Sequence, residues 1–140
     1  MDNFQIYNYI KAKKGGSSAD IATLDALIDR SLTTINNSRV TSIGAHAFRN
    51  CTNLTTVKFD KVVSIGGSAF TDCTGLTTLI LSINSVVPLL NTSGLSNTRI
   101  ARGAGYIYVP DELVDDYKTA TNWTVYEDQI KGLSQLPEGV

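Results

Sequence analysis

From about residue 32 to residue 82 the apolar positions follow neither a strict alternation nor a helical period. They recur at a constant offset instead. Ser42-Ile43-Gly44-Ala45-His46-Ala47-Phe48-Arg49-Asn50-Cys51-Thr52-Asn53-Leu54-Thr55-Thr56-Val57 aligns with Ser64-Ile65-Gly66-Gly67-Ser68-Ala69-Phe70-Thr71-Asp72-Cys73-Thr74-Gly75-Leu76-Thr77-Thr78-Leu79, each residue 22 places on. A further step back carries Leu54-Thr55-Thr56-Val57 onto Leu32-Thr33-Thr34-Ile35 and Ile43 onto Ile21, a degenerate earlier copy. A period of ~20 to 29 residues with apolar side chains at fixed offsets predicts a solenoid, because a single copy cannot shield its apolar side and successive copies bury it by stacking. Neighbouring strands lie ~4.8 Å apart, so each position must accept a similar side chain directly above it. Ile43 with Ile65, Ala47 with Ala69, Phe48 with Phe70, Cys51 with Cys73, Leu54 with Leu76 and Val57 with Leu79 meet that condition. These are the expected structural columns.

A stack of strands exposes an apolar end and open backbone at either side, so lids are required. Ser18 as N-cap, Asp20 in the first turn and Ile21, Leu24, Leu27 and Ile28 at helical spacing predict an amphipathic helix over 19–30. Gly15-Gly16-Ser17-Ser18 forms a flexible joint before it. Phe4, Ile6, Tyr7, Tyr9 and Ile10 make residues 1–14 an apolar segment that either folds back on the lid or meets a partner, such as a second copy of the chain. At the other end Tyr106–Val109 reads as a strand ended by Pro110, and Asp111 and Glu112 open a helix carrying Leu113, Val114 and Tyr117. Thr124 and Glu127 have capping-box spacing for a second helix bearing Tyr126 and Ile130, with Lys131-Gly132 as its stop and Trp123 as the anchor between the two helices. Residues 137–140 are expected to fray. The whole is thus an α+β chain: a segment 1–18, then a repeat domain 19–140 with repeats over about 31–105 and a closing segment over 106–136.

Charge and composition narrow the function more than they define it. The 140 residues hold 12 basic and 13 acidic side chains, with 18% charged, which leaves no basic footprint for nucleic acid. The most apolar run, Leu79 to Leu90, is broken by Ser82, Asn84, Ser85 and Pro88 and is shorter than the ~20 residues that span a bilayer, so no membrane insertion is expected. The first ten residues lack the basic, apolar and small-residue pattern of a secretory signal.

Chemistry is sparse. His46 is the sole histidine and its place in the next copy is taken by Ser68, which marks a turn rather than a catalytic centre. Cys51 and Cys73 offer no zinc spacing; interior thiols are the favoured reading, a bridge between coils the other. Asp111, Glu112, Asp115 and Asp116 stand where a helix start favours carboxylates, without the spacing of a calcium loop. Gly103-Ala104-Gly105 is a turn, and Lys11, Lys13 and Lys14 are a solvated basic patch, since neither belongs to a complete nucleotide-binding motif. No catalytic residue, metal or cofactor is expected, and the chain reads as a non-enzyme. What remains is a surface. Residues alternating with the buried ones point outward along the stacked strands: Thr34, Asn36, Thr56, Lys58, Asp60, Thr78, Ile80 and Ser82 form the candidate ligand face. Tyr106 and Tyr108 beside the last coil either pack under the C-terminal helices or extend that face.

Residues 41–82 resemble the BspA-like leucine-rich repeats, whose consensus looks like S-I-G-x-x-A-F-x-x-C-x-x-L-x-x-V. Gly105 to Lys118 and Asn122-Trp123 are similar to the closing segment of such repeat proteins from gut-type bacteria and their phages, so the resemblance covers about residues 21–136. It implies a short leucine-rich-repeat solenoid that serves recognition rather than catalysis. The implied setting is the bacterial cell surface or a phage or prophage tail, and the implied partner a protein or a cell-surface glycan. A purely structural protein that forms a homo-oligomer through its N-terminal segment is the alternative. Gly94-Leu95-Ser96-Asn97-Thr98 stands where another Ala-Phe-x-x-Cys unit belongs and lacks both Phe and Cys, so a complete further coil is not expected there.

Overall fold

The computed structural model describes residues 33–140. The expected lid over 19–30, the glycine joint, the segment 1–14, and Ile21 and Leu32 of the earlier copy lie outside the described residues. Within them five strands, β1 (Thr34–Asn37), β2 (Thr56–Phe59), β3 (Thr78–Leu81), β4 (Tyr106–Val109) and β5 (Ile130–Gly132), form one sheet in chain order. All four pairings are parallel.

From β1 to β3 the offset of 22 becomes the register. Ile35 pairs with Val57, Val57 with Leu79, Leu79 with Ile107 and Ile107 with Ile130, giving one inward column through all five strands. Asn37, Phe59 and Leu81 form a second. Asn37 is polar and only 3% exposed, yet its Oδ1 accepts the backbone N–H groups of Arg39 at 2.8 Å and Val40 at 3.0 Å. It closes the turn after β1 and so carries no unpaired oxygen into the core.

Opposite the sheet, Ile43, Ile65 and Leu89 are joined by parallel bridges, and Phe48 stacks on Phe70 with ring centroids 5.4 Å apart and planes 8° from parallel. Every expected column residue is buried: Ile43, Ile65, Phe48, Phe70, Cys51, Cys73, Leu54, Leu76, Val57 and Leu79 belong to one core cluster. Cys51 and Cys73 are buried thiols, and the Cys73 S–H donates to the Phe48 carbonyl at 2.9 Å.

The corners explain the polar letters of the repeat. His46 and Ser68 have φ of 61° and 57°, while Asn50, Asp72 and Asn97 have φ of 63°, 64° and 59°. Short polar side chains and histidine tolerate this left-handed backbone better than β-branched ones. The corner at Asn97 also shows that a further coil exists, against expectation. Leu95 and Thr98 flank it as Phe70 and Cys73 flank Asp72, and both are fully buried. The Thr98 hydroxyl donates to the Leu95 carbonyl at 2.7 Å and accepts the Ala101 N–H at 3.1 Å, which satisfies a polar group in a place that cysteine fills elsewhere. Leu89 follows Ile65 by 24 residues rather than by the 22 that separate Ile43 and Ile65, and Tyr106 follows Thr78 by 28, so this coil is longer at more than one corner.

The closing segment departs from a two-helix lid. Among the described residues the α-helix is α1 (Val114–Thr119), entered through a 3-10 turn at Asp111–Leu113. Thr124–Gln129 is also 3-10, preceded by Trp123 and without a side-chain cap, so the Thr124 and Glu127 capping box does not form. Lys131-Gly132 does not stop a helix but belongs to β5. The reason lies in β4: its outer backbone edge needs a partner, and Ile130 supplies both that partner and an apolar side chain for the Ile107 column. The close approach favours glycine at 132, where a Cβ would push the Asp111 carboxylate aside. Asp111 Oδ1 accepts the Ser134 N–H at 3.1 Å and pins the corner beyond β5.

Trp123 is the anchor that its position predicts. It is fully buried, meets Tyr117 edge to face at 5.3 Å, and donates through Nε1 to the Val87 carbonyl at 2.8 Å. The Tyr117 hydroxyl accepts the Val87 N–H at 3.0 Å, Asn122 Nδ2 donates to the Leu89 carbonyl at 2.8 Å, and the Tyr126 hydroxyl donates to the Thr92 carbonyl. Four side chains of the lid thus hold the backbone of the irregular stretch 87–92.

Candidate functional site, the outer strand face

Strand alternation leaves two outward rows. Thr34, Thr56, Thr78 and Tyr106 form one, and Asn36, Lys58, Ile80, Tyr108 and Lys131 the other. In each Thr-Thr pair the second residue is displayed outward, while the first bonds backwards: Thr55 Oγ1 donates to the Thr33 carbonyl at 3.0 Å and Thr77 Oγ1 to the Thr55 carbonyl at 3.2 Å. The face is therefore held in register by the residues just before it.

Exposure falls from β1 to β3. Thr34 and Asn36 are exposed, Thr56, Lys58 and Thr78 are half-buried, and Ile80 is 2% exposed. Ile80 was expected as a displayed residue and is covered instead. It lies outside the core cluster that holds its neighbours Leu79 and Leu81, so it faces outward and is buried from the outside, between Lys58 and Tyr108 in its row. Asp60 and Ser82 sit in the turns beyond β2 and β3, half-buried.

The tyrosines extend this face rather than pack under α1. Ile107 and Val109 take the inward places of β4, and Tyr106 and Tyr108 stand beside Thr78 and Ile80. Their rings meet at an angle of 60° with centroids 6.2 Å apart, and Lys131 Nζ lies 4.7 Å from the Tyr106 ring centre. Burial, and secondarily the neighbouring Tyr106, raises the Tyr108 phenol above its usual pKa.

A cavity of about 190 Å³ opens over β1–β3, lined on the sheet side by Thr34, Ile35, Asn36, Thr56, Lys58 and Ile80. Thr78, Asp60 and Ser82 do not line it. Gly139 and Val140 do, although the last four residues were expected to fray. Nothing in the repeat pattern points to them, since they have no copy elsewhere in the chain.

The residues weighed for chemistry take structural places. His46 is an exposed corner residue. Asp111 is engaged by the Ser134 N–H, and Asp115 and Asp116 lie on the exposed side of α1. Among the described residues no group of three His, Cys, Asp or Glu side chains is arranged to hold a metal ion. No helix among them is long and apolar enough to cross a membrane.

Residues 26–100 match the family described as BspA type Leucine rich repeat region (6 copies). Among curated proteins none matches the chain. Repeat domains of this kind are generally non-enzymatic and generally bind other proteins. With more than half its length under that match, and with parallel rungs whose columns follow the repeat, the chain belongs to the BspA-type leucine-rich repeat family.

Proposed function

We propose that this chain is a non-catalytic recognition module that meets a protein partner on the outer face of β1–β3, in a phage or prophage tail or at a bacterial surface. The observation that carries the reading is the open part of that face: Thr34, Asn36, Thr56 and Lys58 stand in register around one cavity. Rigid strands hold these groups, so the strand side of the contact is pre-organised. The setting rests on the likeness of the closing segment to those of phage and gut-bacterial repeat proteins.

The test is binding of the purified protein to cell-envelope protein fractions, with cell-wall polysaccharide alongside, compared with Thr56→Arg plus Thr78→Arg. Both threonines are outward, so the fold survives and binding is expected to fall at least about tenfold, the consequence of losing ~1.4 kcal/mol at the contact. Binding retained by the double variant would move the contact elsewhere. Binding to polysaccharide alone would replace the protein partner by a glycan.

A further inference from the structure

Gly139 and Val140 line the same cavity as Thr34, Thr56 and Ile80, far down the chain from all three strands. Gly139 has φ of +85°, a backbone conformation open to glycine. Val140 is 52% exposed, so about half of its surface is covered, and the floor below it includes the aliphatic Ile80. Among the described lining residues Lys58 is the one with a charged side chain, and Glu138 immediately precedes Gly139. The described lining thus offers an aliphatic side chain, threonine hydroxyls beside it and the Lys58 ammonium. A sugar platform calls for an exposed aromatic ring face, and the exposed ring here, Tyr106, has Lys131 over it.

Resting on the recognition reading above, we infer that the β1–β3 face takes an extended polypeptide carrying a small aliphatic side chain beside an acidic one. Residues 137–140 of the chain itself are the resident occupant, and a partner binds by displacing them. The segment is then a built-in competitor. A tethered occupant acts at an effective concentration of order millimolar, and the apparent affinity of any outside ligand is reduced by the fraction of time the seat is empty.

An amidated synthetic peptide reproducing residues 136–140 is titrated, with backbone amide shifts as the readout, into the full chain and into a variant that stops after Leu136. The residues removed are all exposed, so the lid is retained; Trp123 fluorescence checks this. The peptide is expected to bind the shortened chain about threefold to tenfold more tightly than the full chain. Its shifts should map to Thr34, Thr56, Lys58 and Ile80. In the full chain, Val140→Lys places a cation near Lys58 and should perturb those same amides as the truncation does. Equal affinity for both chains, or shifts that map instead to the separate groove lined by Val86, Pro88, Leu90 and Ala120, would overturn the inference. So would displacement of the peptide by polysaccharide but by no acidic peptide. The two readings fail separately: a shortened chain that takes the peptide but no envelope protein keeps the seat and loses the recognition role, whereas the reverse result removes the seat alone.

Discussion

Each Thr-Thr pair divides its labour between holding the coil and displaying a surface, and similar divisions run through the repeat. Phe48 and Phe70 fill the far side of the core by stacking, so Phe70→Ala is expected to cost about 3–5 kcal/mol in urea unfolding through the lost contacts and the cavity left behind. Phe70→Leu should cost clearly less, because Leu95 already occupies the equivalent place one coil on. At the exposed corner Asn50, with φ of 63°, Asn50→Gly should shift the unfolding midpoint little, whereas Asn50→Val should cost about 1–3 kcal/mol of backbone strain. These residue roles differ in how legible they were. Phe48, Cys51 and Leu54 repeat after 22 places, and a repeat in a solenoid is a statement about which residue lies directly above. The burial of Thr98 was hidden, because a hydroxyl with two internal hydrogen bonds looks in sequence like any polar turn residue.

The lid is the element that the repeat does not encode. Its strand β4, its helix α1 and the anchor Trp123 were readable from local β-propensity, charge placement and aromatic position. β5 was not, since three residues give no alternation to read and their strand form comes from the open edge of β4. The lid works through polar atoms of large apolar side chains, and that makes a sharp test. Trp123→Phe keeps most of the packing but leaves the buried Val87 carbonyl without its indole donor, so a loss of about 1–3 kcal/mol is expected. Burial raises the phenols of Tyr117 and Tyr126 above their usual pKa of about 10. Between the unfolded and the raised folded value the native state holds more protons, so the stabilisation is complete below pH ~10 and declines as pH rises through the folded values. Urea midpoints measured across pH 9 to 12 should fall with a slope of up to ~1.4 kcal/mol per unit for each such tyrosine, and Tyr117→Phe should make the decline shallower.

Among the described residues each strand pairs with its neighbours in chain order, so stability is shared through interfaces rather than through one central nucleus. Trp123→Ala is therefore expected to loosen the coil it covers first. Native-state hydrogen exchange should show the amides of Ile65 and Leu90, which bond the Pro88 and Ile65 carbonyls, losing protection before that of Thr77 on Thr55 further from the lid. The outer face was legible as a set of rows but not as a shape. Strand alternation put Ile80 on the outside, while it lies beside Tyr108 and shares its cavity with Gly139 and Val140, which no periodicity relates to it.

The brevity of β5 has a consequence for company. A parallel stack repeats the same docking rung at every level, and a full rung at its limit would invite a foreign chain to continue it. Here the terminal rung is three residues long and turns at once into a 3-10 corner held by Asp111, so little straight backbone is offered for further growth. At this end the molecule reads as a ruler with a stop rather than a filament seed.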